Sequence, residues 1–523
     1  MKKESKGLFI LIAIMLVLCI SLCWPAHHPL QQSVLAVPAV LAGSVKASVA
    51  DAVSGVESGK GRRSPTFTKD INPIIFDKCS TCHRPGAIAP FSLLNYNDVR
   101  KRAKQIAEIT EKRIMPPWKA DQGDYQFQGD RRLSVEQIES IREWVAAGAP
   151  EGDPEDAPAA PIFTDGWQLG KPDLIAKMSE AYEVPADGPD IYRNFALPLG
   201  LTEDKWVRAI EFRPGARAVV HHSLFFFDAT GSSRRQDEED PLPGYSGRMG
   251  GLIRGLFSQR DAAHNQSTPV GGLGGWAVGA QARVLPDGLA WYLPKGSDLV
   301  LSTHFHPDGK PEKEISTLGI YFANKPPSQK FMAIQLPPIF GFLARIDIPP
   351  GEKEYAIEDS FELPVDVKAF GVTAHAHYLG RQMKMTARFP DGQTRTLLWI
   401  SDWDFAWQDQ YQFKEFISLP KGTRLNVRIT YDNSADNPRN PSSPPKRVRW
   451  GEGSTDEMGG ISLQVVTANE ADLPQLRQTY RQYVRSAFVN GGNRSHLQPQ
   501  TRPSTIGDGE EKTKVHKLEK TGR

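Results

Sequence analysis

Between residues 97 and 114 apolar side chains recur every three or four positions, at Val99, Ala103, Ile106 and Ile109, and Pro116 and Pro117 follow. That spacing predicts a helix capped by Asn97 or Asp98 and stopped by the prolines. Ser134 and Gln137 form a capping-box pair ahead of Ile138, Ile141, Trp144 and Val145, and Gly148 and Pro150 end that second helix. The acidic, proline-rich run E-G-D-P-E-D-A-P-A-A-P reads as a linker. From about Phe163 to Val466 the period changes to two. Strands are predicted at 206–212, 218–228, 297–305, 366–374, 383–389, 395–400 and 424–431, between turns rich in Gly, Pro, Asp and Asn. L-P-K-G-S-D-L-V-L-S-T-H-F at 293–305 is echoed by L-P-K-G-T-R-L-N-V-R-I-T-Y at 419–431, and a histidine pair precedes each. Two β units of similar plan explain the echo better than one large one. From about Gly491 the chain is polar and is expected to be disordered.

The first residues have a different character. Lys2 and Lys3 precede an apolar run from Leu8 to Trp24, and small residues follow at Ala36, Ala39 and Ala42. This is the order of a secretory signal. The run of 17 residues is at the lower edge of a membrane span, so an uncleaved anchor is the alternative. Leu22 before Cys23 is a poor lipobox. The expected location is therefore periplasmic or in the cell envelope, either free or attached through this segment.

Length and charge narrow the classes. A chain of 523 residues is long enough for about three domains. With 63 basic and 61 acidic residues there is no electrostatic case for a nucleic-acid partner. Of four cysteines, Cys19 and Cys23 lie in the apolar run, leaving only the close pair Cys79 and Cys82. No disulfide framework can be built from that pair.

C-S-T-C-H at 79–83 is the attachment signature of a c-type haem: Cys79 and Cys82 add to the vinyl groups and His83 takes an axial iron position. A zinc site would need two further Cys or His nearby, and a redox CxxC would need a βαβ setting. Met115, in R-I-M-P-P-W, is the candidate for the second axial ligand, with core filling as its alternative. This part resembles class I-like cytochrome c domains over about 85 residues.

Outside the signal, the haem motif and the tail seven histidines remain. Six are paired: His221 with His222, His304 with His306, and His375 with His377; His264 stands alone in a polar loop. Thiolate-free, imidazole-rich sites suit copper or zinc. His375 and His377 share one face of a strand, as do His304 and His306. Adjacent His221 and His222 converge only at a strand end or a bulge.

H-H-S after a Val-rich strand, V-L-S-T-H-F-H-P, A-H-A-H-Y-L-G-R and G-S-T-D-E-M occur here in that order. They resemble the copper-ligand motifs of the copper type II, ascorbate-dependent monooxygenases, the peptidylglycine α-hydroxylating and dopamine β-monooxygenase family. The resemblance covers roughly 165–470. It implies two jelly-roll-like β-sandwich domains, each holding one copper across a solvent-filled cleft. His221, His222 and His304 would bind the electron-transfer copper, with His306 as the alternative to His304 or as its supporting neighbour. His375, His377 and Met458 would bind the copper where oxygen reacts with a substrate C–H bond. In the peptide-hydroxylating branch an Arg, an Asn and a Tyr hold the substrate carboxylate; Thr373, Gly460 and Ser462 stand here instead, which argues against a glycine-extended peptide. The animal members' disulfides have no counterpart.

The expected organisation is a signal or anchor at 1–42, a linker at 43–65, an all-α cytochrome c domain at 66–150 and a linker at 151–164. All-β sandwich domains follow at 165–335 and 336–470, then a polar tail at 471–523. The expected activity is an exported copper monooxygenase acting on a small molecule and O2. Its reductant would be ascorbate, another small molecule or a redox partner protein, relayed through the haem. The alternative is a non-catalytic haem and copper electron-transfer protein on the same scaffold; a zinc hydrolase lacks an obvious general base.

Overall fold

Strands dominate because short runs of the chain bury every second residue. Met383, Met385 and Ala387 are buried along one strand and Leu425, Val427, Ile429 and Tyr431 along its neighbour, with more exposed positions between. This computed structural model describes residues 63–85, 89–163, 166–247, 270–277 and 280–490. The apolar run at 8–24, His264 and the tail beyond 490 lie outside them. Among the described residues no helix is long and apolar enough to cross a membrane.

Two pairs of antiparallel sheets carry most of the chain. In the first pair, β6 (Tyr245–Ser246), β3 (Ile191–Pro198), β9 (Asp298–Phe305), β5 (Val220–Asp228) and β7 (Val270–Ala277) lie side by side in that order. The companion sheet is β1 (Leu174–Lys177), β11 (Thr317–Phe322), β4 (Lys205–Arg213) and β8 (Trp291–Leu293). Phe195, Val207, Phe225, Leu301 and Ile320 belong to the shared core. In the second pair, β12 (Phe331–Leu336), β21 (Gly459–Thr467), β15 (Val367–Ala376) and β18 (Gln410–Leu419) form one sheet. β14 (Tyr355–Glu362), β19 (Arg424–Tyr431), β16 (Gly380–Arg388) and β17 (Thr394–Ile400) form the other. Two-stranded ribbons, β2 (Tyr182–Val184) with β10 (Glu312–Glu314) and β13 (Asp347–Ile348) with β20 (Val448–Arg449), complete the β structure. All seven strand ranges expected from the alternation coincide with observed strands to within three residues.

Four α-helices form a small unit at the start of the described chain. Its helix α1 (Asn72–Lys78) leads directly into Cys79, and α2 (Tyr96–Lys101), α3 (Ala103–Glu111) and α4 (Val135–Ala146) follow. Phe67, Ile71, Ile75, Val99, Ile106 and Trp144 are in its core. The cap of α2 is Asn95, whose side chain accepts from the Asp98 N–H at 3.0 Å, not Asn97 or Asp98 as the spacing suggested. Arg102, at φ −115° and ψ 10°, breaks the expected single helix in two. Ser134 and Gln137 do make a reciprocal capping box on α4. A further helix, α5 (Ser232–Glu239), sits beside β3.

Two segments depart from the expected organisation. Residues 117–129, between α3 and α4, leave the helical unit and lie on the second sheet pair. Ala120 and Phe127 are buried in that pair's core, and Phe127 bridges to Phe413 on β18. At the other end, α6 (Leu473–Asn490) stands where a polar tail was expected. Leu476, Tyr480 and Val484, four residues apart, put one face of α6 into the same core. The Tyr480 hydroxyl donates to the Gln335 carbonyl at 2.9 Å.

Phe127→Ala is expected to cost the second sheet pair about 3–5 kcal/mol, the usual loss for a buried phenylalanine. Denaturant unfolding should show it there, although Phe127 belongs to the helical segment by sequence.

Candidate metal centre

His221 and His222 converge because the ladder slips. The register between β5 and β9 shifts between Val220 and His222, leaving His221 as the extra residue of a β-bulge while His222 pairs with His304. The Nδ1 atoms of His221 and His222 stand 3.2 Å apart. Two imidazole nitrogens bound at ordinary distances to one tetrahedral ion stand about 3.3 Å apart. The rings of His222 and His304 are 4.8 Å apart, and His221, His222 and His304 offer ligand atoms all within 4.8 Å of one another.

Asp190 orients this triad. The His304 Nε2 lies 3.1 Å from its Oδ2, and Tyr192 stacks on the same ring at 4.4 Å. That leaves the His304 Nδ1 buried and without a hydrogen-bond partner. A carboxylate on one imidazole nitrogen with the other left open is the arrangement that supports metal ligands. His306 lies just beyond the end of β9, 57% exposed, and its Nδ1 donates to the Asp190 Oδ1 at 2.7 Å. It braces the carboxylate and not the triad itself. Burial raises the Asp190 carboxyl, but its hydrogen bonds with His304, Ser454 and His306 outweigh that and hold it well below the usual carboxylate range.

His375 and His377 stand at the end of β15, with ring centroids 5.1 Å apart. Each has its Nδ1 engaged: His375 with the Gln408 Oε1 at 2.6 Å, His377 with the Asp456 carbonyl at 3.2 Å. Their Nε2 atoms are thereby left as the available ligands. Met458 is 2% exposed. One oxygen of the buried Glu457 accepts from the backbone N–H of both His377, at 2.6 Å, and Met458, at 3.0 Å, and its other oxygen accepts from Leu379 at 3.0 Å. This carboxylate ties the two chain segments of the proposed ligand set together. Burial pushes Glu457 up to about 8 against those three N–H groups.

The two histidine sets are neighbours. His222 and His375 have ring centroids 6.3 Å apart, and Phe405 packs against His221 at 4.3 Å and His377 at 5.3 Å. His222 and His375 stand on the wall of one pocket. Thr373, Gly460 and Ser462 line that same pocket. Burial, then the neighbouring imidazoles, pushes His221 down to about 3. Burial likewise takes His375 to about 4 and holds His222 and His377 well below their usual value. Neutral imidazole is the form that binds a metal.

In the helical unit the Cys82 and His83 N–H groups both donate to the Cys79 carbonyl, at 3.2 and 3.0 Å, so the motif is one helical turn. His83 gives its Nδ1 to the Phe91 carbonyl at 3.3 Å, leaving Nε2 for an iron. Burial pushes the Cys79 thiol up to about 12 and raises Cys82. Neither thiol is in a disulfide. This donor set fits a covalently attached haem. Met115 is half-buried in the turn after α3, with its N–H on the Ile109 carbonyl at 3.3 Å.

Asp190, Phe405 and Gln408 were not visible as site residues in the sequence, because each is far from the histidine it holds; Asp456 and Glu457 lay inside the quoted G-S-T-D-E-M motif without a role.

No family model and no curated protein matches this chain. Among solved structures, the major capsid protein P2 of bacteriophage PM2 is 10% identical, covering 56% of this chain and 96% of that one at a TM-score of 0.22. The infectious bursal disease virus VP2 subviral particle is 12% identical over 61% and 77% at 0.17. A point mutant of Bacillus subtilis oxalate decarboxylase is 8% identical over 59% and 80% at 0.12. Likenesses this slight carry no argument about this chain.

Asp190→Ala is expected to lower metal affinity at the triad about 10–100-fold, as measured by titrating metal-free protein with a divalent transition-metal ion. A pH dependence follows from the depressed histidines. A group kept neutral in the folded chain takes up its proton only on unfolding, so the unfolded state binds more protons below pH 6.5. Stability of the metal-free protein should therefore fall as pH is lowered, down to about 4 for His375 and about 3 for His221. Each such histidine contributes about 1.4 kcal/mol per pH unit, checked by urea unfolding between pH 7 and 5.

Proposed function

We propose that this chain is an exported, copper-dependent monooxygenase that hydroxylates a C–H bond of a small molecule, with electrons delivered through a haem on Cys79, Cys82 and His83. The observation that carries this reading is the pair of adjoining histidine sets: a triad with an unpartnered His304 Nδ1, and His375 and His377 with their Nδ1 atoms engaged. Copper at these sets and iron in the haem would supply one-electron chemistry, so that R–H, O2, two electrons and two protons give R–OH and water. Ascorbate, another small reductant or a redox partner protein would supply the electrons. Jelly-roll-like sandwiches and a cytochrome c domain are the finer form of the fold that this reading assigns.

The chain's own residues define three tasks. Asp190 and Tyr192 fix the His304 ring, and the bulge aims His221 and His222 at the same point. Gln408, Asp456 and Glu457 fix His375, His377 and the Met458 backbone, so a thioether would complete the second set and favour the reduced ion. The pocket between them receives the substrate. Leu224, Trp276, Phe340 and Ala374 give it apolar walls, and Asp409 is the one charged side chain among the described residues that line it. Asp409 is already paired with Arg131 at 2.8 Å and Arg283 at 3.5 Å. The substrate is therefore uncharged and largely apolar at the reacting end.

Purified protein should contain one haem and two coppers per chain by metal analysis; zinc at both histidine sets would overturn the reading. With reductant and O2, oxygen uptake should match hydroxylated product, and Met458→Ala should slow uptake at least about tenfold. Uptake unchanged by Met458→Ala would remove the oxygen-activating role of that set. Reversible copper and haem reduction without product would leave the electron-transfer alternative. Among substrates of equal size, neutral aromatic or aliphatic compounds should turn over at least about tenfold faster than carboxylates or amines.

A further inference from the structure

The arm at 117–129 and the residues just after it do more than fill a gap in the second core. Their polar groups converge on one stretch of chain, 401–409, the connection from β17 to β18. Asp121 accepts from the Ser401 N–H at 2.7 Å, and Lys119 pairs with Asp402 at 3.2 Å and Asp404 at 3.5 Å. Arg131 closes the far end on Asp409 at 2.8 Å; both side chains are nearly enclosed, at 13% and 10% exposure. The guanidinium is itself held, donating to the Pro117 carbonyl at 3.0 and 3.2 Å and lying over the Trp118 ring. The arm thus grips both ends of the connection.

The opposite side of 401–409 faces the histidines. The Trp403 indole donates to the His377 carbonyl at 3.2 Å, Phe405 packs on His221 and His377, and Gln408 accepts from the His375 Nδ1. A nine-residue connection without regular secondary structure has no ladder of its own to hold such side chains in place. Asp121, Lys119 and Arg131 hold it from a distant part of the chain through four contacts, beside the bonds of Arg439 to Trp403 and Asp402 and of the Gln408 amide to the Phe405 carbonyl. Arg131 and Gln408 are joined in the shortest way, because Asp409, the partner of Arg131, is the next residue after Gln408.

We propose that the arm is a positioning device through which the helical unit sets the His375 imidazole, with Arg131 as its key positioning residue acting through Asp409 and Gln408. The proposal rests on the copper reading of the histidine sets. It makes the second copper site dependent on the segment that also carries Met115 and the haem motif, whereas the His221, His222 and His304 triad is oriented by hydrogen bonds from Asp190, and the connection meets it through the Phe405 ring against His221.

The test is copper(I) titration of the full-length protein against a chromophoric chelator, with X-ray absorption to identify the site that has a copper–sulfur contribution. Gln408→Ala should weaken that site about 10–100-fold and Arg131→Leu about tenfold, each leaving the sulfur-free site within about twofold. The double variant should be no weaker than Gln408→Ala alone, the signature of two residues acting in series. Asp409→Asn, which keeps the shape and removes the charge, should reproduce Arg131→Leu and stands in for it if that variant does not fold. Equal weakening of both sites, no weakening of either, or effects of Arg131→Leu and Gln408→Ala that multiply would overturn the proposal. A parent protein that binds fewer than two coppers would overturn the functional reading and this inference with it; a parent that binds two, with Arg131→Leu unchanged, would overturn this inference alone.

Discussion

Imidazoles deep in a protein and close to one another can stay only if they remain neutral, and that constraint orders the region around the two sheet pairs. His221, His222, His304, His375 and His377 come from three strands and their ends, with rings as close as 4.8 Å. A proton on His221, His222, His375 or His377 would be expensive, both from lost hydration and from repulsion by a neighbour. The fold meets this by giving most of these rings one defined acceptor or aromatic face, which fixes tautomer and orientation together. His222 and His375 are part-buried and keep an edge on the pocket.

The two acids near the rings solve opposite problems. Asp190 is partly exposed, braced by His306, and its charge is held by imidazole donors. Glu457 is fully enclosed and meets no cation in its hydrogen-bond set; three backbone N–H groups face it instead. An acid so placed is costly unless every lone pair is used, so His377, Leu379 and Met458 are constrained by the need to satisfy it. The first acid orients a ring. The second joins two strand ends that are eighty residues apart in sequence.

Alternation along the chain is a local property, so β4, β5, β9, β15, β16, β17 and β19 could be read from it directly. The capping box of α4 was equally legible, since Ser134 and Gln137 bond within one turn. The split at Arg102 was not, because nothing in the spacing of Val99, Ala103 and Ile106 marks it. Helix α6 was missed for a related reason: Leu476, Tyr480 and Val484 are spaced for one face, but arginines and glutamines around them make the segment look polar. Phe127 and Ala120 belonged by position to the helical part and by packing to a β core, and no local signal separates those possibilities.

Sequence by itself determined the chemistry on offer: paired histidines, a C-S-T-C-H turn, a methionine in G-S-T-D-E-M, and two β units after a helical one. These are matters of residue type and short-range period, which the backbone expresses without help from distant contacts. Tertiary structure alone decided which nitrogens are free, that the two histidine sets adjoin at 6.3 Å, and that Asp190, Gln408 and Glu457 govern them. It also decided that Arg131 reaches Asp409 across 278 residues of chain. Such pairings are set by how sheets stack and where connections cross them, and spacing along the chain has no term for either.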